Sequence, residues 1–109
     1  MGVLDEVFSG VEGFEWDAGN SAKNWRRHQV RQAEAEQTLL NRPLVVAADL
    51  KHSQKEPRFI ALGQTEAGRN LAVVFTIRGK RVRVISARPM SKAERKTYGQ
   101  AQAKSEADS

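Results

Sequence analysis

A chain of 109 residues, 39% of them hydrophobic and 28% charged, can bury one core but not two, and its lack of cysteine excludes disulfides, thiolate metal sites and a cysteine nucleophile. The net charge of +5 is unevenly placed: residues 1–20 carry Asp5, Glu6, Glu12, Glu15 and Asp17 and no Lys or Arg, so all 18 basic residues share the remainder of the chain. No apolar run approaches the roughly 20 residues that span a bilayer, and the N-terminal stretch is acidic where a signal peptide is basic, which predicts a cytoplasmic protein with no membrane partner.

Residues 1–12 precede the first predicted element and are expected to be a loosely packed extension. Gly13, Phe14, Glu15 and Trp16 alternate as in a short strand, and Asp17 stands at a helix N-cap position. A helix is predicted from Ala18 to about His28 with the stripe Ala18, Ala22, Trp25, and a second from about Arg31 to Leu40 with Ala33, Glu36 and Leu40 at helical spacing beside Ala35 and Leu39. Pro43 stops it. The period then becomes extended: a strand over residues 44–48, an exposed polar loop over 49–57, a strand over 59–63, a turn over 66–69, a strand over 70–78, the two-residue connection Gly79-Lys80, and a strand over 82–87. In that last strand strict alternation puts Val82 and Val84 on one face with Ser86 and Arg88, and Arg81, Arg83, Ile85 and Ala87 on the other. Ser91 and Glu94 form an S-x-x-E capping box for a final helix ending near Tyr98, leaving a frayed polar tail over residues 99–109. Trp16, Trp25, Phe59 and Phe75 are expected in the core. The order predicts an α+β domain over residues 13–98: a short N-terminal strand, two helices, an antiparallel sheet of three or four strands and a C-terminal helix.

Metal and cofactor chemistry find little support. His28 and His52 are the only histidines and lie in different elements, the carboxylates are dispersed, and no Gly-rich phosphate loop or G-x-S-x-G elbow is present. No cofactor or metal is expected. The densest basic stretch holds Arg78, Lys80, Arg81, Arg83, Arg88, Lys92, Arg95 and Lys96 against Glu94 alone, a block that attracts polyanions or acidic proteins. Arginine, lysine, histidine and carboxylate are the groups that metal-independent RNA cleavage requires, because RNA supplies its own nucleophile in the 2′-OH. The protein then needs a base, an acid and fixed cations for the charge that develops at phosphorus.

Several motifs, in order along the chain, resemble one known family. Phe14-Glu15-Trp16-Asp17, Lys23-Asn24, Arg27-His28, the loop from His52 through Glu56 to Arg58, Gly63, Phe75-Thr76 with Arg78-Gly79, Val82-Arg83-Val84-Ile85-Ser86-Ala87-Arg88, and Glu94-Arg95 with Tyr98 are similar to the BrnT toxins. The resemblance runs from about residue 14 to 98, and its most specific part is the V-R-V-I-S-A-R strand followed by E-R-x-x-Y. It implies a RelE-like α+β fold, ribonuclease activity that arrests translation, and neutralisation by a BrnA-like antitoxin with a ribbon-helix-helix DNA-binding domain, operator DNA being bound only through the toxin–antitoxin complex. Two features depart from the family pattern: Gln29 stands where glycine usually follows the histidine, and residues 1–12 extend beyond the usual start.

The candidate catalytic residues are His52, Glu56, Arg58, Arg78 and Arg83. His52 has the intrinsic pKa of an acid or base, Glu56 either takes a proton or orients Arg58, and guanidinium forks suit phosphate oxygens. Lys23, Arg88, Lys92, Arg95 and Tyr98 are the candidate RNA-binding residues. The rival reading is a non-catalytic basic module for an acidic protein or a nucleic acid.

Overall fold

The computed structural model describes residues 7–52 and 56–107. The elements are β1 (Gly13–Glu15), α1 (Ala18–His28), α2 (Gln32–Leu40), β2 (Val45–Ala48), a 3-10 turn (Leu50–His52), β3 (Arg58–Gln64), β4 (Asn70–Arg78), β5 (Arg81–Pro89) and α3 (Lys92–Ala107). The α+β class and the element order agree with the sequence reading. One sheet has the order β1-β5-β4-β3-β2; the four strands from β2 to β5 form an antiparallel meander, and β1 adds a fifth by pairing parallel to β5, with Gly13, Phe14 and Glu15 opposite Arg81, Val82 and Arg83.

Local signals explain most boundaries. Asp17 caps α1, its Oδ1 accepting from the Asn20 N–H at 3.1 Å. In α3 the capping box closes both ways: the Ser91 N–H donates to Glu94 Oε1 at 2.8 Å and the Glu94 N–H donates to Ser91 Oγ at 3.2 Å. Gly79, with φ of 58°, turns β4 into β5. Gln29 ends α1 in the left-handed region at φ 54°, a conformation that costs a side-chain-bearing residue energy and glycine almost none. Gln29→Gly should therefore raise stability by about 0.5 to 1 kcal/mol, seen as a melting temperature a few degrees higher.

One sheet face packs on α1 and α2 through Val30, Ala35, Leu39, Ala61, Leu71, Val73, Phe75, Val82, Val84 and Ala87. The approach is closest at Gly63, where an added Cβ would lie 2.9 Å from both the Thr38 carbonyl oxygen and Leu44 Cδ1. The other face is covered in part by α3, with Leu62, Ala72, Met90 and Tyr98 buried together and Val45 and Ile60 at their margin.

Four local expectations are corrected. The bulge between Val74 and Phe75, at Ile85 on the facing strand, puts Arg88, Ser86, Arg83 and Arg81 opposite Ala72, Val74, Thr76 and Arg78, so these three arginines share one face and Ala87 joins the core. Trp25 is not core: it is 46% exposed with the Arg31 guanidinium 5.3 Å over its ring, because α1 buries Asn24, whose Oδ1 accepts from the Ala87 N–H at 3.2 Å. The N-terminal extension is tied down in its described part, since Val7, Phe8 and Val11 pack on the core and the Phe8 ring stacks on Phe75 at 5.5 Å. The last helix runs on to Ala107 instead of fraying after Gly99.

Candidate nucleic-acid site

The half of the sheet face beyond α3 carries the arginines. Backbone register sets Arg58 opposite Thr76 and Thr76 opposite Arg83, with Arg78 opposite Arg81 at the hairpin end. Thr76 is fully buried in this row, and its hydroxyl donates to the Pro57 carbonyl at 2.6 Å, fixing the chain as it enters β3. Glu56, one residue earlier, accepts from Arg78 through two bonds, Nε to Oε2 at 3.3 Å and Nη2 to Oε1 at 3.2 Å. The Arg78 bond, reinforced by the charges of Arg78, Arg83 and Arg58, holds the Glu56 carboxyl below its ordinary range. Glu56 is thus a carboxylate paired with Arg78 at the edge of the face that also carries Arg58 and Arg83. Arg78 in turn is stabilised as a cation by Glu56 and, more weakly, by Glu15.

Arg83 is the most sheltered of the paired arginines on this face. Its side chain is 21% exposed, and Nη2 donates to Asp17 Oδ2 at 3.2 Å, so the carboxylate that caps α1 also aims the central arginine. From sequence alone Asp17 reads only as a cap. Local pattern does not reveal the parallel β1 pairing that brings Asp17 and Arg83, 66 residues apart, together.

The remaining candidates are more scattered. Arg88 forks onto Glu94, Nη1 to Oε1 at 2.6 Å and Nη2 to Oε2 at 2.9 Å, in line with the arginine face but committed to the start of α3. Lys92 and Arg95 are exposed on the first turns of α3, and Lys23 is exposed on α1. Tyr98 is 2% exposed and its hydroxyl donates to the Pro43 carbonyl at 2.8 Å, so the ring is a packing element and burial raises its pKa. His52 ends the 3-10 turn, its side chain falling with residues 53–55 outside the described residues. Among the described residues no three His, Asp or Glu side chains stand together as a metal site, and no helix is long and apolar enough to cross a membrane.

The Arg88 bonds, backed by those from Ser91, pull the Glu94 carboxyl from 4.5 down to about 2. A carboxyl whose folded pKa lies below its unfolded one stabilises the fold fully above about pH 4.5, and that contribution is lost as pH falls toward 2. Screening at this partly exposed pair leaves about 1 to 2 kcal/mol. Acid titration of stability should show that loss for the native chain and a flatter profile between pH 5 and 2 for Glu94→Gln, with about that much stability missing at neutral pH.

A family model described as the ribonuclease toxin BrnT of type II toxin–antitoxin systems matches residues 16–94. The chain belongs to the BrnT toxin family. The matched span takes in Asp17, Glu56, Arg58, Arg78, Arg83 and the Arg88–Glu94 fork, and membership in a type II system implies an antitoxin partner. The fold is that of the Brucella abortus ribonuclease toxin BrnT, known from a 1.1 Å crystal structure: TM-score 0.55 and 22% identity, over 75% of this chain and 100% of that one. No curated protein matches the chain.

Proposed function

We propose that this BrnT-family toxin is a metal-independent endoribonuclease that inhibits translation in the cytoplasm and is neutralised by a BrnA-like ribbon-helix-helix antitoxin, through which alone it reaches operator DNA. The observation that carries the reading is the placement of Arg58, Arg78 and Arg83 on one sheet face partly covered by α3, with Glu56 bonded to Arg78 beside them. Three fixed cations suit the phosphodiester and the extra negative charge of a phosphorane better than any neutral substrate. In this scheme the RNA 2′-oxygen attacks phosphorus in line, forming the new P–O bond as the bond to the 5′-oxygen breaks. The 2′-OH proton goes to a base and the leaving oxygen takes one from an acid. Glu56, held at low pKa by its bonds to Arg78, is a weak base and a good orienting group. His52 is the side chain assigned to proton transfer, its ordinary pKa lying near neutrality.

The test is cleavage of single-stranded RNA in EDTA. The expected products are a 2′,3′-cyclic phosphate and a 5′-hydroxyl, with a 2′-deoxy substitution at the scissile position blocking the reaction. A divalent-ion requirement or a 5′-phosphate product overturns the scheme, and binding without cleavage restores the non-catalytic reading. Saturating antitoxin should abolish cleavage.

A further inference from the structure

A second group of cations stands outside the arginine face. Lys23, Arg26 and Arg27 occupy one turn of α1, all three are exposed, and with Gly19 they line an open concavity of about 370 Å³. None of them has an ion pair or side-chain hydrogen bond among the described residues, whereas Arg69, Arg78, Arg83 and Arg88 are each matched to a carboxylate. The sequence's preferred stripe of Ala18, Ala22 and Trp25 is not what α1 buries; its inward residue is Asn24.

Two bonds fix where this turn sits. Asp17, at the start of α1, holds Arg83, and Asn24 holds the Ala87 N–H on the stretch of β5 that β1, pairing only as far as Arg83, leaves unpaired. The helix therefore lies along the edge of β5, with Ser86 and Arg88 on the arginine face on either side of Ala87. Lys23 to Arg27 lie roughly 9 to 15 Å along the helix axis from Asp17. On a helical wheel Lys23 and Arg27 flank Asn24 on the side away from Trp25, whose ring is covered by Arg31 at the start of α2.

We propose that this turn is an RNA exosite: a strand bound at Arg83 continues over the β5 edge and lays its following phosphates on Lys23, Arg26 and Arg27. The inference rests on the ribonuclease reading and deepens it by giving the substrate a length. Three unpaired cations on one turn are complementary to successive phosphates, and their contribution is electrostatic, independent of sequence and sensitive to salt. The site thus favours single strands several nucleotides longer than the scissile step.

The experiment compares the native chain with a Lys23→Ala, Arg26→Ala, Arg27→Ala triple variant, using 2′-O-methyl RNA as an uncleavable probe and unmodified RNA for turnover. At about 100 mM salt the triple variant should bind a probe of about 20 nucleotides at least tenfold more weakly, with the logarithmic salt slope reduced by about 2 for three lost phosphate contacts. Affinity for a probe of about 4 nucleotides should change less than twofold, and KM for long substrates should rise while kcat stays put. Arg26→Lys with Arg27→Lys should retain binding, and Lys104→Ala, which removes a charge from the far end of α3, should behave as native. Equal losses at both lengths, or none at either, overturn the exosite. So does an unchanged affinity for RNA with a lost affinity for an acidic polypeptide such as polyglutamate, which assigns the turn to a protein partner. If the native chain binds the long probe through this turn yet cleaves no RNA, the exosite stands and the ribonuclease reading fails; full cleavage with unaltered binding by the variant is the reverse.

Discussion

Arg83→Ala should lower the single-turnover rate of RNA cleavage about a hundredfold at saturating substrate, the loss of one contact to developing charge being on the order of 3 kcal/mol. The measurement must be made at saturation, because a contact that only binds phosphate is recovered there and one that stabilises the transition state is not. Arg83 is the sharpest test because it is the most sheltered of the paired arginines on this face and is aimed by Asp17. Asp17→Asn separates aiming from folding. Asparagine caps a helix about as well as aspartate, so stability should hold while the rate falls by less than for Arg83→Ala. An alanine at Arg83 that leaves the saturated rate intact removes that residue from the chemistry. His52→Ala, on the same assay, should cost between about 10² and 10⁴ if it moves the proton.

Phe75→Ala should cost about 3 to 5 kcal/mol of folding stability, read from chemical denaturation. The ring is fully buried at the centre of β4 and stacks with two others, Phe8 at 5.5 Å and Phe59 at 5.4 Å. Phe8→Ala should share part of that loss, and the double variant should lose less than the sum of the two singles, because the stacked pair is removed by either. Strict additivity would mean that Phe8 does not rest on Phe75. The result also bears on organisation, since a destabilising Phe8 variant makes residues 7–12 part of the folded unit and not an appendage.

The elements visible from sequence were those with chemistry at their ends. Asp17, the Ser91 and Glu94 box, Pro43 and Gly79-Lys80 are local signals, and each boundary they mark is observed. What is not legible locally depends on partners far along the chain. Alternation cannot announce the Ile85 bulge, which is decided by how β5 lies on β4, and one extra residue moved Ser86 and Arg88 to the arginine face. Helical periodicity chose Trp25 for the core over Asn24, because an amide that bonds an edge strand looks polar until the strand is in place. Among the candidate site residues, the arginines are recognisable as a basic block, but their placement on one sheet face beside Glu56 is not. That grouping needs Arg58, Arg78 and Arg83 from three strands in register.

The parallel closure of β1 on β5 also orders events during synthesis. A ribosome makes Asp17 early and Arg83 some 66 residues later, and the pair between them exists only once β5 has left the exit tunnel and taken its place beside β1. Both early helices and their caps can form before that moment. The arginine face cannot, because its central residue is aimed by Asp17 at the start of α1. A nascent chain therefore lacks the aimed Arg83 and the closed core alike until β5 is in place, because Val82, Val84 and Ala87 of that same strand complete the packing under the early helices.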